Sequence, residues 1–184
     1  MLRRAPTGVL FAVLLLASNV QAQTAQRWSI QLSALGVELT SVTNDDLRFG
    51  GGVELQGRYN PGALSIGFGF QTTRHTLENQ ALALNVTVTY TGGFVEPRLI
   101  LGSIGDLVAL YGSVRFMSLS AKFDVAGGET KVEGAAISGG GGLLVRLTSR
   151  LNAEVGATAG KEYYNRDAGS GTTIVTRLGL AFGL

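Results

Sequence analysis

The chain has no cysteine, three prolines, one histidine and one tryptophan in 184 residues, and each scarcity removes a class of protein. Without cysteine there is no disulfide framework, no thiolate metal site and no N-terminal cysteine to carry a lipid. Metal binding has little support without cysteine, and the acidic pair Asp45-Asp46 stands isolated in a polar stretch. Few prolines and 27 glycines argue for closely approaching strands rather than a low-complexity chain. No apolar run approaches the roughly 20 residues that a spanning helix needs.

The longest apolar run, Val9 to Ala17, follows Arg3 and Arg4 and leads into Val20-Gln21-Ala22, the small-residue pattern of a signal-peptidase site. Residues 1–22 are therefore expected to be a cleaved signal peptide, with one domain over 23–184. Losing Arg3 and Arg4 leaves 13 basic residues, two fewer than the full 15, against 13 acidic ones. The basic character of the whole chain is thus no argument for nucleic-acid binding, and none is expected.

What the mature region has in abundance is alternation. In the first segment, Trp28 to Thr40, apolar Trp28, Ile30, Leu32 and Ala34 interleave with Ser29, Gln31 and Ser33, the period of two of a strand with unlike faces. The pattern recurs over Arg48–Tyr59, Ala63–Thr73, Asn85–Leu101, Leu107–Ser118, Val132–Leu147, Leu151–Gly160 and Thr172–Leu184. The connections alternate too. Short turns at Asn60-Pro61-Gly62, Gly102–Asp106 and Thr148–Arg150 alternate with longer polar stretches over 41–47, 74–84, 119–131 and 161–171. Pro97 lacks a ladder donor and is expected to mark an irregularity in the fourth strand.

The polar faces decide which way the sheet turns. A soluble ligand-binding barrel would line its cavity with the apolar set and meet water with the polar one. Such a surface is usually rich in lysine, yet Lys122, Lys131 and Lys161 all fall in or beside the expected loops. The strand polar faces hold glycine, serine, threonine and glutamine, with Arg48, Glu54, Arg58, Glu96, Arg98, Arg115, Arg146, Glu154 and Arg177 spaced among them. These nine charges are expected to form a network in a narrow interior. Turning three such strands around would put arginine into lipid at about 2–4 kcal/mol each, on the order of 10 kcal/mol in all. Trp28, Phe49, Tyr59, Phe70, Tyr90, Phe94, Phe116 and Phe182 are candidates for interfacial aromatic belts.

Eight strands, short turns on one side and longer loops on the other resemble the small eight-stranded outer-membrane protein family, the OmpX type and the OmpA membrane domain, over Gln23 to Leu184. The resemblance implies an all-β, antiparallel up-and-down transmembrane barrel after a cleaved signal peptide, monomeric in the outer membrane. Loops near residues 41, 78, 126 and 166 would face outside. Its implied partners are membrane lipid and lipopolysaccharide, the barrel-assembly machinery and a surface partner met by the loops. Members commonly finish on an aromatic residue; this chain ends Phe182-Gly183-Leu184.

Some barrels of this size are lipid-modifying enzymes, which need a base beside a nucleophile. The His-x-Ser arrangement of the deacylases is missing, because His75 is followed by Thr76-Leu77, and a lone loop histidine is ordinarily solvated. The run Gly139–Gly142 lacks the Lys-Ser/Thr and the following helix of a phosphate loop, and reads as close strand packing. No catalytic, cofactor or metal residue is expected. The function expected is a structural or surface-interaction role, with a small porin-like channel and a soluble periplasmic barrel as alternatives.

Overall fold

A computed structural model describes residues 26–40, 49–79, 84–125, 128–165 and 170–184. The expected signal peptide, the first loop and Arg48 lie outside the described residues. The eight strands are β1 (Trp28–Leu39), β2 (Phe49–Tyr59), β3 (Leu64–Asn79), β4 (Leu84–Ile104), β5 (Val108–Val125), β6 (Gly128–Arg146), β7 (Leu151–Tyr164) and β8 (Ser170–Gly183). Each pairs antiparallel with its chain neighbours, and β1 also pairs with β8, so the sheet closes into an up-and-down barrel with no free edge around its girth.

Side-chain parity follows the alternation of the sequence. Leu32, Phe70 and Leu178 stand 61%, 72% and 62% exposed on the outside, while Glu54, Glu96, Arg98 and Arg177 on neighbouring strands are buried within. The soluble, ligand-binding alternative required the opposite facing and is excluded by it. At one end of the barrel Trp28 and Tyr59, paired across β1 and β2, pack ring to ring at 4.9 Å. Phe182 lies outward in the register row of Ile30 and Leu151. Aromatic bodies with polar tips suit a membrane–water boundary.

Tyr90 and Phe94 depart from the belt expected for them. They share β4's inward face with Glu96 and Arg98: Phe94 is buried, and Tyr90 packs on Leu35, Val37 and Leu39 of β1 inside the barrel. The phase of β1 foretells this, because its apolar residues move from even to odd positions at Leu35, leaving Gly36 and Glu38 on the outside.

Three of the longer connections are mostly strand in their described residues. The stretch expected as a loop over 74–84 continues the β3–β4 ladder to Asn79↔Leu84, and that over 119–131 continues β5–β6 to Val125↔Gly128. Similarly, β7 and β8 pair to Tyr163↔Ser170. The three lysines thus sit on strand extensions rather than in loops. Polar composition does not separate a solvated loop from a hairpin extended into water, since both are free of lipid.

The opposite end turns tightly, with Gly62 and Gly105 at φ 146° and 57°, a region that favours glycine. Pro97 leaves the register unshifted, Val95↔Phe116 and Arg98↔Ser113 lying in step on either side of it, because one missing donor does not displace a ladder. The irregularity falls at Leu101, where pairing moves from Ile100↔Tyr111 to Gly102↔Leu110, a one-residue bulge near the end of β4.

The outward facing is testable. Leu178→Arg puts a charge on the lipid face beside Ala34 and Val155, and is expected to lower stability by about 2–4 kcal/mol in a denaturant titration of vesicle-inserted protein.

Candidate functional site

The barrel interior is crossed by ion pairs. Seven of the expected charges are buried there: Glu54 and Arg58 from β2, Glu96 and Arg98 from β4, Arg115 from β5, Glu154 from β7 and Arg177 from β8. Arg146, half-buried near the end of β6, donates its backbone N–H to the Leu107 carbonyl at 2.7 Å.

Glu96 is the hub. Its Oε1 accepts from Arg58 at 2.7 Å and Arg98 at 3.1 Å, and its Oε2 from Arg115 at 2.5 and 2.8 Å and Arg177 at 3.3 Å. Glu154 takes both arms of the Arg98 guanidinium, at 2.8 and 3.0 Å, with Arg177 at 3.2 Å on the same carboxylate. Glu54 meets Arg115 at 2.6 Å and Arg177 at 3.3 Å. The two-armed fork on Glu154 is the strongest form of such a pair, and a buried charge persists only where it is met this way. Because the five contributing strands lie around the whole barrel, the network braces opposite walls.

Aromatic rings and glycines complete the packing. Arg115 lies over the Phe94 ring and Arg98 over the Tyr111 ring, each 3.8 Å from the centroid, while the Tyr111 hydroxyl donates to Glu154 at 2.8 Å. Tyr111 has room because Gly142 and Gly156 lack side chains: a Cβ at either would sit 2.8 or 2.4 Å from its hydroxyl oxygen. The glycine run is explained in part by this, and in part by Gly140, whose Cβ would meet the Ala157 carbonyl oxygen at 2.1 Å.

Above the network the lumen changes character. Leu35, Val37 and Leu39 face Tyr90 and Val175. Beside them Glu162 accepts from Tyr164 and is hydrogen-bonded to Thr173. His75, expected to be a solvated loop residue, is fully buried on β3 with its ring edge-on to Tyr90 at 5.4 Å. It fits because Gly50 opposite has no Cβ, which would lie 2.5 Å from the imidazole. Inward parity on β3, carried past Thr73, was the signal for this position.

A closed barrel with an apolar exterior and a charge-filled interior defines an integral membrane protein of the outer-membrane kind. No family model and no curated protein matches the chain. Solved structures do. Neisserial surface protein A superposes with a TM-score of 0.66 at 11% identity, covering 85% of this chain and 97% of that one. Ail of Yersinia pestis, in complex with the heparin analogue sucrose octasulfate, gives 0.55 at 18% identity over 84% and 95%. The outer membrane protein OprG of Pseudomonas aeruginosa gives 0.56 at 10% identity over 89% and 98%. All three are small eight-stranded outer-membrane barrels, and it is this fold that the chain shares with them.

Two substitutions probe the interior. Glu96→Gln leaves four guanidiniums short of one carboxylate and is expected to cost on the order of 3–5 kcal/mol in denaturant unfolding, whereas Lys131→Ala on the exposed hairpin should shift stability by no more than about 0.5 kcal/mol. Gly156→Leu forces Tyr111 off Glu154, with an expected loss of about 1–3 kcal/mol from overpacking.

Proposed function

We propose that the chain, exported with loss of residues 1–22, is a monomeric, non-enzymatic outer-membrane barrel whose work is done by the sheet it holds above the membrane. The observation that carries this reading is the unequal height of the strands. β5 and β6 pair without break to Val125↔Gly128, but β6 pairs with β7 only as far as Gly134↔Tyr164. On the other side β3 and β4 pair to Asn79↔Leu84, while the described part of β2 pairs with β3 from Gly50↔His75. Among the described residues, four strands therefore outreach their neighbours, and the β6 edge from Gly128 to Val132 has no pairing with β7.

That sheet is built for water and for contacts at the membrane surface. Arg74, Thr89, Lys122 and Lys131 lie in one register row across β3 to β6. Lys122 pairs with Glu129 at 2.9 Å and Lys131 with Glu133 at 3.1 Å. Charges on an open edge discourage self-pairing and leave polar contacts for a surface partner. Basic groups in a row just above the lipid face also suit the phosphates of lipopolysaccharide. Assembly would fall to the barrel-assembly machinery, acting on β8.

A channel is the weaker reading. Eight strands leave an interior just wide enough for side chains to fill, and here five strands contribute charges that meet across it. Purified protein in planar bilayers is expected to show no discrete conductance steps; regular steps abolished by Glu96→Gln would favour the channel.

The surface role is tested by replacing residues 122–131 with a two-residue turn in a strain lacking the native protein. Trypsin added to intact cells is expected to cut the wild-type protein at Lys122 or Lys131 and spare the interior arginines. If the sheet does the work, the trimmed barrel restores no more function than the empty strain, although it folds and shifts on gels when heated. Full restoration by the trimmed barrel would leave only an envelope-bracing role.

A further inference from the structure

The interior network is not electrically balanced. Arg58, Arg98, Arg115 and Arg177 face Glu54, Glu96 and Glu154, one positive charge in excess. The excess is not shared evenly. Arg115 meets two carboxylates, Arg98 two and Arg177 three, whereas Arg58 meets Glu96 alone, and Glu96 is already divided among four arginines. A buried cation with a fraction of a partner is costly, so the uncompensated charge resides at Arg58.

Arg58 lines a small pocket at the end of the lumen where the short turns lie, together with Arg98. The rest of its polar wall consists of hydroxyls and amides from Ser29, Gln31, Asn60, Ser65 and Asn152, with no carboxylate among the residues that line it. Two of these hydroxyls can donate into it. Ser65 accepts from Arg58 at 3.0 Å and Ser29 accepts from the Asn60 amide at 3.2 Å, which leaves each hydroxyl hydrogen to point elsewhere. Arg58 and Arg98 each have a buried Nε–H that meets no acceptor among the described residues. Ser29, Ser65, Arg58, Arg98 and Asn152 are all more than nine-tenths buried. The room amounts to roughly one or two water-sized positions, too little for a phosphate or an organic acid.

We propose that this pocket is a binding site for a small monovalent anion, a halide such as chloride, taken up from the side of the short turns and held by Arg58 with the surrounding hydroxyl and amide donors. The anion completes the charge balance of this ion-pair network. The inference is independent of the surface role, because the pocket lies at the opposite end of the barrel from the extended sheet.

The test is the linewidth of the chloride-35 resonance in solutions of the folded barrel in non-ionic micelles, since chloride exchanging with an ordered site broadens the free-ion signal. The expected result is a saturable excess width over protein-free micelles, removed by bromide. It is lost in Arg58→Gln and strongly reduced in Ser29→Val, which fills the pocket without touching an arginine, but unchanged in Lys131→Gln. Heat-dependent gel mobility reports whether each variant is folded; if Arg58→Gln does not fold, Ser29→Val decides. No excess width for the wild type, or a width that survives Ser29→Val in a folded barrel or disappears only with Lys131→Gln, would overturn the proposal.

Discussion

Hydrocarbon offers no hydrogen bonds, so every N–H and C=O that crosses it must be paired within the protein, and for a sheet the only solution is closure. The pairing of β1 with both β2 and β8 is that closure, and the rest of the architecture follows. A closed sheet has one face toward lipid and one toward a lumen. With eight strands that lumen is too narrow to be left open to water, so side chains fill it. Polar side chains excluded from lipid have nowhere else to go, and charges confined there must meet one another. The four-way contact at Glu96 is thus a consequence of closure as much as of any local preference.

The interior this produces has two unlike halves. Toward the short turns the walls are joined by ion pairs and hydroxyl donors; toward the extended sheet they are joined by Leu35, Val37 and Leu39 against Tyr90, with His75 and Glu162 at the margin. Tyr90 reaches from β4 to the side chains of β1, as the arginines reach between walls below it. The division is not strict: Ile100, Ala109, Tyr111 and Leu144 form a buried apolar cluster toward the short turns, and Glu162 accepts from Tyr164 toward the extended sheet. In the charged half, glycines at 67, 142 and 156 make space for long side chains.

Much of the barrel is legible in the sequence because the side-chain period of a strand is two and lipid tolerates only one of the two faces. Glu54, Arg58, Glu96, Arg98, Arg115, Glu154 and Arg177 share a parity with serine, glutamine and glycine, and parity alone turns them inward. Which of them meet is another matter. Glu96 and Arg177 are 81 positions apart on β4 and β8, and their encounter depends on the stagger of the closed barrel, which no local pattern records. Strand ends were illegible for a different reason: past the lipid, residues such as Thr87, Lys122 and Glu129 face water whether they lie in a loop or in a ladder. Tyr90 and Phe94 turn inward rather than to the boundary because aromatic side chains suit both a membrane interface and a packed lumen, and only their parity with Glu96 separates the two.

Tyr111 fits beneath Arg98 only while positions 142 and 156 carry no side chain. Positions 111 and 156, on neighbouring sides of β6, are therefore one unit of inheritance: a larger residue at 156 is tolerable only if the tyrosine shrinks, whereas 142 stays glycine whatever stands at 111, because its Cβ would meet the Val155 carbonyl oxygen at 2.2 Å. Descendants of this chain are expected to change 111 and 156 together, through paired replacements, and to keep glycine at 142, while the outward residues beside them change singly.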